Sequence, residues 1–290
     1  MKFSIIEPET LFEAVQLLQE DNAHTKVIAG GTDLLVRIKR GMSKPTCVVS
    51  IAKIKGLDTL EHLPGQGLKI GAMVTHAEVA ENPLVLDKCR ALALACKSVG
   101  SPQIRNIGTV VGNLANASPA ADSAPALLAL GAELVVWGVN GSRTIALDDF
   151  FCGPGQTVLA QHEIIECIVI PTDHNVSSTF IKLGRRKALE IAICNVSVAA
   201  SWDGERWKNV RVALGAVSPT PVLASNASKI LEETEWSAAI RAQASKSASA
   251  ESRPIDDARA TADYRYAMVE VLVNRAVNEL EQRKEVGIYC

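Results

Sequence analysis

The segment VIAGGTDLL, Val27 to Leu35, places two glycines, a hydroxyl and a carboxylate after a short apolar run and before a second apolar run that turns basic. Glycines at a strand-to-helix turn let consecutive backbone N–H groups converge on an anion, and the helix that follows adds partial positive charge at its N-terminus. A phosphate group suits such a turn, although Gly30-Gly31 read alone is better explained as an ordinary tight turn. A second segment, IGTVVGNLANASPAADSAP from Ile107 to Pro125, carries Thr109, Gly112, Asn113, Asn116, Ser118 and Asp122 with few bulky apolar side chains. A long loop so rich in small hydrogen-bonding residues inside a compact domain is more often functional than structural, and its chemistry suits an anion or a sugar. Gly65, Gly67 and Gly71 imitate a dinucleotide fingerprint, but they precede or lie within a strand instead of opening a helix.

Both segments need elements to hold them. Thr10 to Glu20 reads as a helix, with Thr10 and Glu13 as a capping box and Leu11, Ala14, Val15 and Leu18 on one face. Strands Lys26 to Ala29 and Thr46 to Ile51 flank a short helix, Thr32 to Arg40, that stops at Gly41. Residues 1–55 therefore form an α/β unit with a mixed or parallel sheet. A second unit, 56–173, opens with strand Leu68 to Met73, continues with a helix capped by Thr75 and Glu78 and a longer helix from Leu84 to Val99, and enters the polar loop 100–121. It closes with a short helix to Leu130 backed by Gly131, a hairpin at Asn140-Gly141 between strands Glu133 to Val139 and Arg143 to Leu147, and strand Ile164 to Ile170. From 174 to 290, strands Thr179 to Leu183, Ile193 to Trp202 and Val210 to Val217 predict a small antiparallel sheet ended by Pro219 and Pro221. Three helical stretches follow, the last from Ala262 to Arg283. The alanines of Ala238 to Ser252 favour helix over a disordered linker.

The chain has 290 residues, nearly half of them apolar, and a formal net charge of −2. Nucleic acid, which needs clustered Lys and Arg, is excluded as a partner class. The most apolar stretch, Ala124 to Val139, is interrupted by Gly131 and Glu133 and falls short of the ~20 residues of a membrane span. MKFSIIEPET meets Glu7 and Pro8 before a secretory h-region can develop, which predicts a cytoplasmic protein. The seven cysteines are odd in number and lack any C-x-x-C spacing, so they read as reduced, mostly buried thiols. The histidines include no pair at helical metal spacing, and each reads as a surface or capping residue. No metal site is expected in this chain.

Four motifs in order, IAGGTDLL, IRNIGTVVGNLANASPAAD, DDFFCGPGQT and FIKLGRR, resemble the FAD-binding medium subunit of molybdenum hydroxylases. That family includes the flavoprotein subunits of carbon monoxide dehydrogenase and nicotinate dehydrogenase and the central domain of xanthine dehydrogenase. The resemblance covers nearly the whole chain. It implies an α+β fold, with a two-part FAD-binding domain of the PCMH/vanillyl-alcohol-oxidase-like type and a C-terminal domain of a small antiparallel sheet and helices. It implies FAD in this chain, and a molybdopterin cofactor and 2Fe-2S clusters on partner subunits. Electrons would pass from the iron–sulfur subunit to FAD and on to NAD(P)+ or another acceptor, while the molybdopterin-binding subunit oxidises the organic substrate.

Carried over by position, the family pattern sets the FAD pyrophosphate on the backbone of Ile28, Ala29, Gly30, Gly31, Thr32, Asp33, Leu34 and Leu35, and on Thr109, Val110, Val111, Gly112 and Asn113. It gives Asp122 to the ribityl or sugar part, and Ile165 and Lys182 to the flavin neighbourhood. Ser101 follows a helix whose end, near Val99, packs against the isoalloxazine. Without the family, Lys182 reads as a solvated strand cation; beside the flavin it would favour the reduced anion. Val111 departs from the T-x-G-G-N of many relatives, because a β-branched residue resists φ > 0 and limits how near a ligand comes. Two rival readings are a self-sufficient flavin-dependent oxidoreductase, disfavoured by the lack of an evident catalytic base, and a flavin-free assembly or binding subunit, disfavoured by the intact IAGGTDLL loop.

Overall fold

The computed structural model describes residues 2–20, 24–172, 176–186 and 189–285. His174, Cys290 and the expected junction at 173/174 lie outside them. The first part is a three-stranded parallel sheet in which Cys47–Ser50 lies between Ser4–Ile6 and Thr25–Ile28. Parallel strands need crossovers, supplied here by helices Leu11–Glu20 and Leu34–Lys39. Helix Leu11–Glu20 starts as its sequence requires: the Thr10 hydroxyl accepts from the Glu13 N–H at 3.2 Å, and the Glu13 carboxylate accepts from the Glu9 N–H at 3.0 Å.

The second part is a five-stranded antiparallel sheet in the order Leu60–Leu63, Gly67–Gly71, Ile164–Ile170, Glu133–Gly138, Gly141–Ala146. Ile164–Ile170 is the central strand, and both neighbours come from far away in sequence. Gly141, at φ +99°, closes the hairpin where the Asn-Gly signal places it. Thr75 and Glu78 form the expected capping box at helix His76–Glu81.

Two helical readings are corrected. The helix expected from Leu84 to Val99 is two helices, Pro83–Lys88 and Arg90–Lys97, broken at Cys89, whose ψ of 46° leaves the helical region. The polar loop 100–121 holds two short helices, Pro102–Arg105 and Val110–Ala115, capped by Ser101 and Thr109. Their few apolar residues lack a readable period, so the caps were the usable signal. Strands Ser4–Ile6, Leu60–Leu63, Phe151–Gly153, Gln156–Thr157 and Val222–Leu223 were not anticipated; all are short.

The third part is an antiparallel sheet in the order Val176–Leu183, Cys194–Trp202, Trp207–Gly215, Val222–Leu223, followed by helices Ser225–Leu231, Ala238–Glu251 and Ala262–Glu285. The Ala238 to Ser252 segment is thus helical through Glu251. Small residues Ala244 and Ala248 are buried and pack with Val273 and Val277 of the long helix in one core cluster. That core also holds stacked Trp207 and Trp236, 4.4 Å between ring centroids. The first two parts share another core, built around Val49, Leu68, Ile70, Leu92, Leu127 and Ile168. Polar ties join the third part to them: Arg211 Nε donates to the Leu128 carbonyl at 2.9 Å and its Nη2 to Asp148 at 2.6 Å.

Candidate functional site

A cleft of about 360 Å³ opens between the first two parts. Its walls come from the end of strand Thr25–Ile28 and the loop behind it, from Gly108 to Asn113, from Val99 and Ile104, and from Ile164 and Ile165. Two loops some eighty residues apart in sequence therefore meet at one place. Gly30 is what allows it: a Cβ at that position would overlap the carbonyl of Ile107. Gly31 takes φ +70°, a left-handed conformation that strains any residue with a Cβ.

This contact leaves the loop's backbone donors free. Among the described residues, no acceptor meets the N–H groups of Gly30, Gly31, Thr32, Asp33 or Leu34. The N–H groups of Thr109 and Val111 are equally free, whereas Gly112 donates to the Thr109 hydroxyl at 3.0 Å. Unpaired N–H groups on a concave surface demand an acceptor, and a diphosphate bridging two loops offers several oxygens. The helices behind the loops, Leu34–Lys39 and Val110–Ala115, are six residues each, so the donors themselves carry the argument more than any macrodipole. No Lys or Arg lines the cleft among the described residues. The site fits the diphosphate of a dinucleotide held by backbone dipoles.

Of the residues expected at the site, Ile28, Ala29, Gly30, Gly31, Thr32, Asp33, Leu34, Thr109, Val111, Gly112, Asn113 and Ile165 line the cleft. Val111 sits comfortably there: it belongs to helix Val110–Ala115 and needs no positive φ, so the β-branched residue is accommodated. Leu35 is exposed on its helix and Val110 is fully buried beneath the loop. Ser101 caps helix Pro102–Arg105, its hydroxyl accepting from the Ile104 N–H at 3.4 Å.

Asp122 and Lys182 are outside the cleft lining and are joined to each other. Lys182 Nζ is 2.5 Å from one Asp122 oxygen and 3.1 Å from the Ser98 carbonyl, and Asn195 Nδ2 donates to the other Asp122 oxygen at 2.9 Å. The lysine is not the solvated strand cation that its local sequence suggests; its side chain is 11 % exposed. Burial raises the Asp122 carboxyl above its ordinary pKa, against the opposing pull of Lys182 and the Asn195 amide. Asp33, by contrast, is half-exposed and faces Arg37 at 3.6 Å.

Two ionisable residues of the lining were missed in the sequence. Glu163 is clamped by Arg143, whose Nε and Nη2 reach its two oxygens at 2.7 and 2.8 Å, and this arginine holds its carboxyl below the usual range. His76, read as a surface or capping residue, is 2 % exposed and lines the cleft. Burial, with Arg105 nearby, drops its pKa to about 4, so the ring is neutral. The sequence signal for its burial was faint: a histidine directly after the Thr75 cap, facing the helix that carries Cys96.

Residues 1–173 match the family described as the FAD binding domain in molybdopterin dehydrogenase, and residues 179–280 match the CO dehydrogenase flavoprotein C-terminal domain. The nicotine 6-hydroxylase medium subunit of Paenarthrobacter nicotinovorans is 34% identical over 277 residues, covering 95% of this chain and 96% of the relative. The structure of carbon monoxide dehydrogenase from Hydrogenophaga pseudoflava that lacks the Mo-pyranopterin moiety superposes with a TM-score of 0.93 at 31% identity, over 98% of each chain. Quinoline 2-oxidoreductase from Pseudomonas putida 86 gives a TM-score of 0.91 at 27% identity, over 100% of this chain and 99% of the other. The chain belongs to the FAD-binding flavoprotein subunits of the molybdenum hydroxylases. It is thus a subunit of an oxidoreductase, as the four ordered motifs imply.

Proposed function

We propose that this chain holds one FAD, without a covalent link, in the cleft between the two loops. In this reading it is the electron-transfer subunit of a complex whose other subunits carry 2Fe-2S clusters and the molybdopterin cofactor. The observation that carries the reading is the convergence of free N–H groups from Gly30 to Leu34 and from Thr109 and Val111 on one cleft with no cationic side chain among the described residues. Those donors would hold the pyrophosphate, while Val99, Ile104 and Ile165 would give the ring system an apolar wall. Bound FAD would supply the junction between one-electron exchange with the clusters and two-electron exchange with NAD(P)+ or another acceptor.

The chain's own side chains offer no independent substrate chemistry at this place. Of the ionisable groups lining the cleft, Glu163 is locked by Arg143, His76 is neutral and half-exposed Asp33 faces Arg37. None is poised as a general base, which favours the subunit reading over a self-sufficient flavin enzyme. A cytoplasmic setting agrees with the six described cysteines, all free thiols. Among the described residues, no helix is long and apolar enough to cross a membrane.

The test is anaerobic titration of the purified chain with NADH and NADPH, followed at the flavin absorbance, alongside candidate organic substrates. Bleaching by a reduced nicotinamide, with inertness towards organic substrates, supports the reading. Bleaching by an organic substrate alone contradicts it.

A further inference from the structure

The His76–Cys96 pair is buried at the edge of the cleft. His76 opens helix His76–Glu81, and its backbone N–H is tied to the Gly108 carbonyl at 3.0 Å, fixing it against the second loop. Its ring Nδ1 lies 3.4 Å from Cys96 Sγ on helix Arg90–Lys97, and Cys96 is fully buried. The opposite ring edge is turned to the loop: Cδ2 lies 3.7 Å from the place a Cβ on Gly108 would occupy, and the Thr32 hydroxyl lies 3.3 Å from the same place. Among the described residues the ring's one hydrogen bond is made at Nδ1, which leaves Nε2, bonded to Cδ2, open to a ligand in the cleft. The ring thus joins the point where the two loops meet.

We infer that the Cys96 thiol donates a hydrogen bond to His76 Nδ1, so that Nε2–H is presented as a neutral hydrogen-bond donor to the bound dinucleotide where the two loops meet. The tautomer follows from counting donors and acceptors. If Nδ1 carried the proton instead, the Cys96 S–H would have no acceptor among the described residues, and a lone pair on Nε2 would be set against acceptor-only diphosphate oxygens. Burial keeps Cys96 a thiol, its pKa raised further by Asp122, and burial together with the Arg105 charge keeps the imidazole neutral. Glu78, on the same helix, is spent on the Thr75 cap at 2.8 Å and does not compete. In a cleft without Lys or Arg, a side-chain donor adds to a grip otherwise left to the backbone. His76 is therefore a cofactor-positioning contact, and Cys96 sets its tautomer.

The inference rests on the assignment of FAD to this cleft, and the experiment separates the two. The full chain is stripped of flavin and titrated with FAD, comparing wild type, Gly30→Ala, His76→Leu and His76→Gln, with melting curves for each. His76→Leu should weaken FAD binding about tenfold, the factor of one ordinary hydrogen bond, and His76→Gln, which keeps an N–H donor, should recover most of it. In the wild-type chain, the ring 15N signals of His76 should show the Nε2–H tautomer, and Nε2 should shift when FAD is added; this needs no variant to fold. Unchanged affinity in a folded His76→Leu variant, or ring nitrogens unmoved by saturating FAD, overturns the inference alone. A wild-type chain that takes up no FAD, or a Gly30→Ala variant that binds it normally, removes the cleft assignment and the inference with it.

Discussion

Gly30 lies so close to Ile107 that the hydrogen on its Cα occupies space which a Cβ would need, directly against the Ile107 carbonyl. The two loops of the cleft are therefore spaced by a glycine, and the spacing governs whether donors from both can reach one diphosphate. Gly30→Ala should cost about 1–3 kcal/mol in folding stability through overpacking against backbone that cannot swing aside. FAD affinity should fall far more than stability predicts, because the loops are pushed apart. Urea denaturation beside FAD titration checks this; a stable variant with normal FAD affinity would refute it.

Val111 should not be improved by the glycine that the T-x-G-G-N pattern would put there. The position is helical and the side chain is nearly buried against the core, at 5 % exposure. Val111→Gly removes that packing and adds a helix penalty of about 0.5–1 kcal/mol. The expected outcome is a lower melting temperature with no gain in FAD affinity, and tighter FAD binding would show that the valine obstructs the ligand.

Asp122 and Lys182 should behave as one unit. Removing the lysine strands a buried carboxylate, so Lys182→Met should destabilise by about 3–5 kcal/mol, reduced to the extent that Asp122 takes up a proton. Combining it with Asp122→Asn should recover much of the loss, with a coupling of about 0.5–3 kcal/mol in a double-mutant cycle. Asp33→Ala, at a half-exposed position, should be nearly silent in stability and should retain FAD better than Asp122→Ala. Strictly additive effects of Asp122 and Lys182 would contradict the coupling.

His76 predicts a pH dependence of stability. Its folded pKa, about 4, lies below the ordinary value of 6.5, so the unfolded chain binds a proton that the native chain refuses between those values. Stability is complete above pH 6.5 and is lost as pH falls towards 4. The groups bearing on the ring are the Cys96 thiol, whose pKa burial raises, and the Arg105 cation. Between pH 7 and pH 5, wild type should lose about 2 kcal/mol more than His76→Gln. Identical pH profiles would show that the ring is not held neutral.

The sequence made the site legible where backbone freedom was the signal. Gly30 and Gly31 stand out because few other residues fit their turn, and Thr75, Thr109 and Ser101 are hydroxyls at true caps. The Asn140-Gly141 hairpin and central strand Ile164–Ile170 were visible for similar reasons: a turn requirement and a dense apolar run. His76 and Glu163 were not, because a buried neutral histidine and an arginine-clamped glutamate are made by residues distant in sequence, Cys96 and Arg143. The break at Cys89 was hidden for the opposite reason, since the apolar pattern resumes beyond the charged Asp87, Lys88 and Arg90 and no glycine or proline marks the kink. Lys182 shows both sides: its strand pattern was readable, but its partner Asp122 lies sixty positions away.

The central claim is that this chain carries FAD held only by non-covalent contacts. Its most direct test is to purify the chain, precipitate it with acid, and identify and quantify the flavin in the supernatant against the protein. Equimolar FAD should be released in full. Flavin remaining with the precipitate would contradict non-covalent binding, and a chain that neither contains FAD nor takes it up when supplied would contradict the assignment of the cleft.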